Sequence, residues 1–154
     1  MIGISRKLRV AAIAVSALAL GGIMAGPTLA QDKLVILGSV PGLKFPFFVH
    51  MMNQIQAEGE KLGVEIIVGD GQVSSTKQTA DVEAAISRGV NGIVISPNEV
   101  DAMAPALQEA VDANIPVVTI DRYVNKVPDV LGHVGADNSK GGEAPAELVK
   151  EEFP

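Results

Sequence analysis

Two adjacent charged residues, Asp121 and Arg122, follow a run of strand-forming residues from Val117 to Ile120. In an open parallel sheet, ligands bind in the crevice outside the carboxyl ends of the strands, so charges at such an end are placed for recognition. A carboxylate accepts protons from hydroxyl groups, and a guanidinium donates a rigid fork of N–H groups. The pair therefore predicts a binding site for a polar ligand. Alternatively, Asp121 braces the following loop and Arg122 forms a solvated ion pair of little energetic value.

Aromatic residues are scarce in this chain but locally concentrated. Three of the 4 phenylalanines, Phe45, Phe47 and Phe48, lie within one short segment. Flat rings suit the apolar C–H face of a sugar, and together with Asp121 and Arg122 they predict recognition of a sugar or another polyol. Alternatively, Phe48 begins the buried face of a helix and the other two rings cover the edge of the domain. Phe47 lies off that helix face, so it is the better candidate for ligand contact.

The charge balance argues against nucleic acid as a partner. Three of the 12 basic residues lie in the first 30 positions, which hold no acid, so residues 31–154 carry 9 bases against 18 acids. Phosphate contacts need a basic face, which such a segment does not provide. Cysteine is absent, and the two histidines, His50 and His133, are far apart in the sequence. We therefore expect no disulfide, no metal site and no cofactor.

Motifs that would indicate an enzyme are missing from the sequence. The first strand is not followed by Gly-x-Gly-x-x-Gly, and neither a Gly-x-x-x-x-Gly-Lys-Ser/Thr loop nor a Gly-x-Ser-x-Gly turn occurs anywhere. A phosphoacceptor role for Asp121 would need partner acids near the end of the first strand, and none is there. We therefore predict a binding protein without catalytic residues.

The first 30 residues have the pattern of a secretory signal, with a basic start, an apolar run over 10–24 and small residues at 28–30. We expect cleavage before Gln31 and export to a periplasm, with no membrane insertion once the signal is removed. An uncleaved membrane anchor is the weaker alternative, because glycine and proline residues interrupt the apolar run before it reaches spanning length.

Strands and helices alternate along residues 31–154, as in successive right-handed strand-helix-strand units. The pattern predicts strands over 34–37, 64–68, 92–97, 117–120 and 130–134, and helices that begin at Phe47, after Ser74 or Ser75, at Asp101 and at Gly141. We therefore predict an α/β fold with a doubly wound, three-layer parallel sheet in the flavodoxin-like strand order 2-1-3-4-5. In that order, the loops after the first and third strands face each other across one crevice, with Asp121 and Arg122 at the next strand along.

Two of the predicted helices carry more detailed expectations. The second helix should bury an inner face made of Ala80, Val82, Ala85 and Ile86. The third helix should hold Pro105 in its first turn, the only part of a helix in which a missing N–H is tolerated without cost.

Several segments, taken together, resemble the ribose-type periplasmic binding proteins of the type I superfamily. They are Phe45–Phe48, Ile93–Asn98, Asn114–Arg122, and Ala136–Asn138 with the following Gly141 and Gly142. The resemblance implies an extracytoplasmic receptor that delivers a small sugar to the membrane permease of an ATP-driven (ABC) importer. It also implies that Phe47 and Phe48 sandwich the sugar ring, and that Asp121 and Arg122 bind its hydroxyl groups and ring oxygen.

Two positions depart from the ribose-binding pattern, Phe45 and Ser96, where ribose binders carry asparagine. Both remain candidate ligand-binding residues, because they replace hydrogen-bonding amides of the site. The exchange argues against ribose itself and leaves the choice among monosaccharides and polyols open. Asp137 and Asn138 precede a predicted helix, so we expect them to cap it rather than to contact a sugar.

Members of this family have two similar lobes with the ligand between them, and this sequence ends at Phe153 and Pro154, where a second lobe would begin. We therefore expect residues 31–154 to form the N-terminal lobe alone, which is a normal domain size. A single lobe should hold its sugar weakly, because hydroxyl groups on the open side stay in water. Exposed phenylalanines at the mouth of the crevice should also favour self-association.

Two other functions are compatible with the same segments. One is a periplasmic sugar sensor or chemotaxis ligand carrier, which would have the same sequence features as a transport protein. The other is the effector domain of a lactose-repressor type regulator, which needs a DNA-binding helix-turn-helix ahead of the first strand. The predicted export signal occupies that place, so the regulator is the weaker alternative.

Overall fold

The structure is a computed structural model that describes residues 33–153. Within these residues, the strands form a five-stranded parallel sheet. The strands are β1 (Val35–Val40), β2 (Glu65–Asp70), β3 (Gly92–Ile95), β4 (Val117–Ile120) and β5 (Gly132–Val134). Their order is β2-β1-β3-β4-β5, which confirms the predicted topology. The predicted signal and its cleavage before Gln31 lie outside the described residues. Within those residues, none of the helices has the length and apolarity needed to span a bilayer.

Four helices connect or follow the strands within residues 33–153: α1 (Pro46–Leu62), α2 (Ser75–Ser87), α3 (Val100–Asp112) and α4 (Asn138–Glu152). Ser74 caps α2, because its hydroxyl oxygen accepts from the Lys77 amide at 3.2 Å. Gly63 ends α1 with a φ of 70°, a left-handed conformation that costs glycine little because it has no Cβ. Both of these helix boundaries were predicted from the sequence.

Strand boundaries differ from the predictions by a few residues. β1 extends beyond Leu37, because Gly38 and Ser39 continue to pair with both neighbouring strands. β3 ends at Ile95 rather than at Pro97, and β5 begins only at Gly132. The longer β1 moves the start of the following loop to Pro41, closer to the phenylalanines of α1.

Three helices also begin earlier than predicted, and for α1 the difference is one residue, since it begins at Pro46. α3 begins at Val100, so Pro105 lies in its second turn, and the expectation of a first-turn proline is wrong. Pro105 is exposed, so water can satisfy the carbonyl group that its missing N–H leaves without a helical partner. α4 begins at Asn138, because the Asp137 carboxylate accepts from the Lys140 amide at 3.1 Å and starts the helix there. The capping role predicted for Asp137 is confirmed.

The larger hydrophobic core lies on the side of the sheet that α2 and α3 cover. Its buried side chains include Leu37, Val82, Ala85, Ile93, Ile95, Met103, Leu107, Val117, Val124 and Val127. On the opposite side, α1 buries Phe48 and Met52 against Val40. Gly59 permits close contact between α1 and β2, since a Cβ at that position would lie 2.5 Å from Ile66. The result is the predicted three-layer arrangement, with helices on both faces of the sheet.

The α1 side of the sheet is covered unevenly. α1 packs against β1 and β2, whereas Val134 on β5 is 68% exposed. α4 has no buried residue and packs against no other helix or strand in the described part of the chain. The sheet near β4 and β5 is therefore open on this side, and the opening forms a cleft beside α1.

Candidate functional site

Three loops meet at the carboxyl edge of the sheet, where the sequence predicted the site. The strand register places Ser39 of β1 beside Ile95 of β3, and Ile95 beside Thr119 of β4. The loops that follow these three strands are therefore neighbours. They carry the candidate residues, so the fold gathers stretches that are distant in sequence.

The backbone turns sharply at Asp121, directly after β4. Its φ is 63°, in the left-handed region that residues other than glycine rarely adopt, although aspartate is enriched there. The Arg122 amide donates to the Ile120 carbonyl at 2.6 Å, a hydrogen bond that closes a three-residue γ-turn around Asp121. The Asp121 amide donates to the Val134 carbonyl at 2.9 Å, which ties the turn to β5. Strained turns of this kind persist where the surrounding structure holds them, and they cluster at ligand sites.

Ser96 orients the carboxylate of Asp121. Ser96 is fully buried, and its hydroxyl group donates to Asp121 Oδ2 at 3.0 Å. The second carboxylate oxygen, Oδ1, has no hydrogen-bond donor among residues 33–153, and the Asp121 side chain is 27% exposed. One oxygen is therefore engaged by the protein, and the other is available to a ligand hydroxyl. Ser96 itself does not line the cleft that Asp121 lines.

Main-chain carbonyl groups of the loop after β3 hold Arg122. Its Nη1 donates to the carbonyl oxygen of Pro97 at 3.2 Å and to that of Asn98. The distance from Arg122 Nε to Asp121 Oδ2 is 3.8 Å and both side chains are partly exposed, so this ion pair contributes little to stability. A guanidinium has five N–H donors, so several remain for a ligand.

The three clustered phenylalanines differ in exposure. Phe47 is 58% exposed and Phe45 is 41% exposed, whereas Phe48 is 8% exposed and packs with Val40 and Met52. The Phe48 ring lies 5.1 Å from the Phe47 ring and 6.1 Å from the Phe45 ring, edge-on in both cases. Phe48 therefore begins the buried face of α1, the alternative weighed for it from the sequence, and Phe47 presents the open ring.

Phe47 and Asp121 line one cleft, with a volume of about 420 Å³ and a mostly apolar surface. Its walls come from α1 and from the ends of β4 and β5. The α1 wall consists of Phe47, His50, Met51, Gln54 and Ile55, and the strand wall consists of Ile120, Asp121, Val134, Gly135 and Ala136. This size lies in the range of small-molecule sites, and the mixture of apolar walls with a fixed polar group is typical of them.

Arg122 lines a different hollow. That hollow has a volume of about 540 Å³ and a polar lining made of Asn98, Glu99, Val100, Asp101, Arg122 and Asn125. The two hollows are neighbours, because the Arg122 guanidinium still lies 3.8 Å from the Asp121 carboxylate. The structure thus brings Phe47, Asp121 and Ser96 together and places the Arg122 guanidinium on the adjacent surface.

Gln78 contacts the site, although the sequence pattern did not single it out. It is fully buried on α2 and hydrogen-bonds to Ser39, Ser96 and Asn98. The prediction that Ala80 belongs to the buried face of α2 is wrong, because Ala80 is exposed. Helical spacing back from Val82 reaches position 78, so the buried face could have been assigned by spacing rather than by apolar residue type.

Asp70, at the end of β2, fixes the loop that carries the phenylalanines. Its Oδ1 accepts from the Leu43 amide at 3.1 Å and from the Gln72 amide at 3.0 Å. One carboxylate thereby joins the loop after β1 to the loop after β2. The aromatic segment is therefore anchored at its beginning by a side chain from the neighbouring strand.

The chain matches known proteins over most of its length. A family model described as a periplasmic binding protein domain matches residues 36–154. The ribose import binding protein of Escherichia coli strain K12 is 35% identical over 135 residues, which cover 88% of this chain and 45% of that protein. The chain thus spans less than half the length of this relative.

Solved structures of similar proteins share the fold. The Caulobacter myo-inositol binding protein, bound to myo-inositol, superposes with a TM-score of 0.75 at 33% identity, over 84% of this chain and 44% of that one. A galactofuranose binding protein superposes with a TM-score of 0.69 at 32% identity, over 77% of this chain and 41% of that one. These relatives are solute-binding proteins rather than enzymes.

Proposed function

We propose that this chain, which belongs to the ribose-type family of periplasmic binding proteins, binds a monosaccharide or a cyclic polyol in the cleft between Phe47 and Asp121. The observation that carries the proposal is the state of the Asp121 carboxylate. Ser96 holds one of its oxygens, and the other has no donor among residues 33–153. A fixed acceptor in a mostly apolar cleft suits a ligand hydroxyl.

The aromatic wall supports the same class of ligand. The exposed ring of Phe47 offers an apolar face to the C–H groups of a sugar ring, while Asp121 accepts from a hydroxyl group on the same ring. Arg122 lies on the adjacent surface with N–H donors to spare, and it would serve a hydroxyl group or ring oxygen that projects beyond the cleft.

The relatives, and two positions that differ from the ribose-binding pattern, indicate which sugars or polyols to expect. Relatives bind ribose, myo-inositol or galactofuranose, all of which are polyhydroxylated rings. Phe45 and Ser96 stand where ribose binders carry amides, and the Ser96 hydroxyl is engaged by Asp121. We therefore expect a cyclic polyol or a hexose to bind better than ribose.

Delivery of the sugar to an ABC importer from the periplasm completes the proposal. It is supported by the signal-like pattern of residues 1–30 and by membership of the family. N-terminal sequencing of the exported protein should begin at Gln31, and an intact Met1 on exported protein would contradict export with cleavage. Cross-linking in cells should recover a permease subunit, whereas recovery of a chemoreceptor instead would show that the protein serves sensing.

Saturation-transfer NMR on the purified chain is a suitable test of binding, because it detects millimolar affinities and the cleft is open to water. We expect transfer to the ring protons of at least one of ribose, xylose, galactose, fructose and myo-inositol, and none to alanine, a polar solute without a sugar ring. The ring protons, which rest on Phe47, should receive the strongest transfer. Equal signals from alanine and from every sugar would refute the proposed function.

A further inference from the structure

Gln78 is the one glutamine among the buried residues of the described chain. Both polar atoms of its side chain have hydrogen-bond partners. Its Nε2 donates to Ser39 Oγ at 3.0 Å and to the Ser96 carbonyl at 2.9 Å. Its Oε1 accepts from the Asn98 amide at 2.7 Å. A single amide therefore joins α2 to the end of β1 and to both ends of the segment Ser96–Asn98.

The segment Ser96–Asn98 is also the support of both charged residues of the site. From this segment, the Ser96 hydroxyl donates to the Asp121 carboxylate, and the carbonyl groups of Pro97 and Asn98 accept from Arg122. Gln78 itself lies in the core and not in the lining of the cleft or of the polar hollow. Any effect that it has on a ligand must therefore pass through its bonded neighbours, which are this segment and Ser39 at the end of β1.

No other side chain type of this length supplies the same bonds. The segment follows β3, where the Ser96 carbonyl and the Asn98 amide have left the strand ladder and need side-chain partners. Glutamine provides an N–H donor for the first and an oxygen acceptor for the second. Glutamate could accept from Asn98 but could not donate to the Ser96 carbonyl when ionised, and methionine could do neither.

We propose that Gln78 is a positioning residue for the sugar site. It fixes Ser96–Asn98 so that Ser96 orients the Asp121 carboxylate and the two carbonyl groups hold the Arg122 guanidinium before any ligand arrives. This inference rests on the proposed function for its consequence in binding, but its structural part concerns the ligand-free protein.

The test compares Gln78→Met with Val82→Ala. Methionine keeps the length of the side chain and removes all of its hydrogen bonds. Val82→Ala leaves a cavity on the same buried face of α2 and removes no hydrogen bond to Ser96–Asn98, because a valine side chain forms none. Both variants should unfold at lower urea concentration than the wild type. At 10–15 °C, where both are folded, Gln78→Met should bind its sugar about tenfold more weakly, the effect of losing roughly one charged hydrogen bond, and Val82→Ala should bind as the wild type does.

Wild-type affinity in folded Gln78→Met, or an equal loss of affinity in Val82→Ala, would overturn the inference. If Gln78→Met does not fold, Gln78→Glu serves instead, because glutamate keeps the bond from the Asn98 amide. Gln78→Glu should also bind the sugar more weakly than Val82→Ala does. Wild-type affinity in folded Gln78→Glu would overturn the inference equally.

A second readout separates this inference from the proposed function. In the ligand-free protein, the NMR signals of the Asp121 amide and of the Arg122 Nε–H group should shift in Gln78→Met and stay unchanged in Val82→Ala. If the wild type binds no sugar, the proposed function fails, and these signals alone decide whether Gln78 positions the two charged residues. Unchanged signals in Gln78→Met would overturn the positioning role whatever the ligand.

Discussion

The charged side and the aromatic side of the candidate site are built in different ways. On the charged side, the Asp121 carboxylate is held by a buried serine, Arg122 is held by two carbonyl groups, and a γ-turn fixes the backbone between them. On the aromatic side, Phe47 projects from the first turn of α1 with more than half of its surface exposed. Its ring contacts the edge-on ring of Phe48, which is buried.

This difference gives the two sides different roles in ligand binding: the charged side orients the ligand, and the aromatic side adds contact area. A hydrogen-bonded carboxylate is already in place when a ligand arrives, so little conformational entropy is lost on binding and the group can discriminate between hydroxyl positions. An exposed ring adds apolar contact and tolerates rings of different shape. We therefore expect the charged side to determine the affinity and the ligand, and the buried ring beneath the aromatic side to determine the stability of α1.

The largest effect is expected from the buried ring of the aromatic side. Phe48→Ala should lower the free energy of unfolding by about 3–5 kcal/mol, because it removes a large buried side chain and leaves a cavity beside Val40 and Met52. Urea unfolding followed by circular dichroism measures this change. The matched variant Phe47→Ala should shift the unfolding free energy by less than about 0.5 kcal/mol, as is usual for exposed positions. Similar losses in the two variants would remove the distinction between the buried and the exposed ring.

The next effect is expected on the charged side, in ligand affinity. Asp121→Asn keeps the size of the side chain and the tolerance for a positive φ, but it removes the charge from the acceptor. Hydrogen bonds to charged groups contribute about 1.5–3 kcal/mol, so affinity for the best sugar should fall by about 10- to 100-fold. Titration followed by NMR measures the dissociation constants.

Asp129→Asn is the matched control for this change, because Asp129 is exposed and lines neither the cleft nor the polar hollow. It should bind as the wild type does. An affinity that is unchanged in Asp121→Asn would mean that the carboxylate does not contact the ligand, and the charged side would lose its role.

The smallest effect is expected from the exposed ring of the aromatic side. Phe47→Ala should weaken sugar binding by about 1 kcal/mol, or roughly fivefold, since ring contacts of this kind contribute about 0.5–1.5 kcal/mol. Phe47→Tyr, which keeps the ring, should restore the affinity. If Phe47→Ala reduces affinity more than Asp121→Asn does, the aromatic side dominates recognition and the comparison is reversed.

Much of the fold could be predicted from the sequence, because local signals and long-range topology agree. Ser74 and Gly63 mark helix ends through their own side-chain and backbone chemistry, which needs no tertiary context. Alternating strands and helices restrict the sheet to a few orders, and that order already places the segment after β3 beside Asp121. The neighbouring positions of Ser96 and Asp121 followed from it.

Other features depend on tertiary structure that residue type alone does not encode. Gln78 is buried because Ser39, Ser96 and Asn98 surround it with partners. An amide on a helix ordinarily indicates the solvent side, so residue type favours Ala80 for the core instead. The γ-turn at Asp121, which depends on hydrogen bonds to Ile120 and Val134, is a second such feature. With this turn, Asp121 lines the cleft and Arg122 lines the neighbouring polar hollow, while their charged groups lie 3.8 Å apart.

The central claim is that a sugar binds in the cleft between Phe47 and Asp121, and mapping of backbone amide signals tests it most directly. The ¹⁵N-labelled chain is titrated with the sugar that gives the strongest saturation transfer, and every amide of residues 33–153 is followed. We predict the largest shifts at Phe47, Asp121 and the Val134–Ala136 end of β5, with smaller shifts at Arg122. Shifts confined to another surface, such as the outer faces of α2 and α3, would contradict the account.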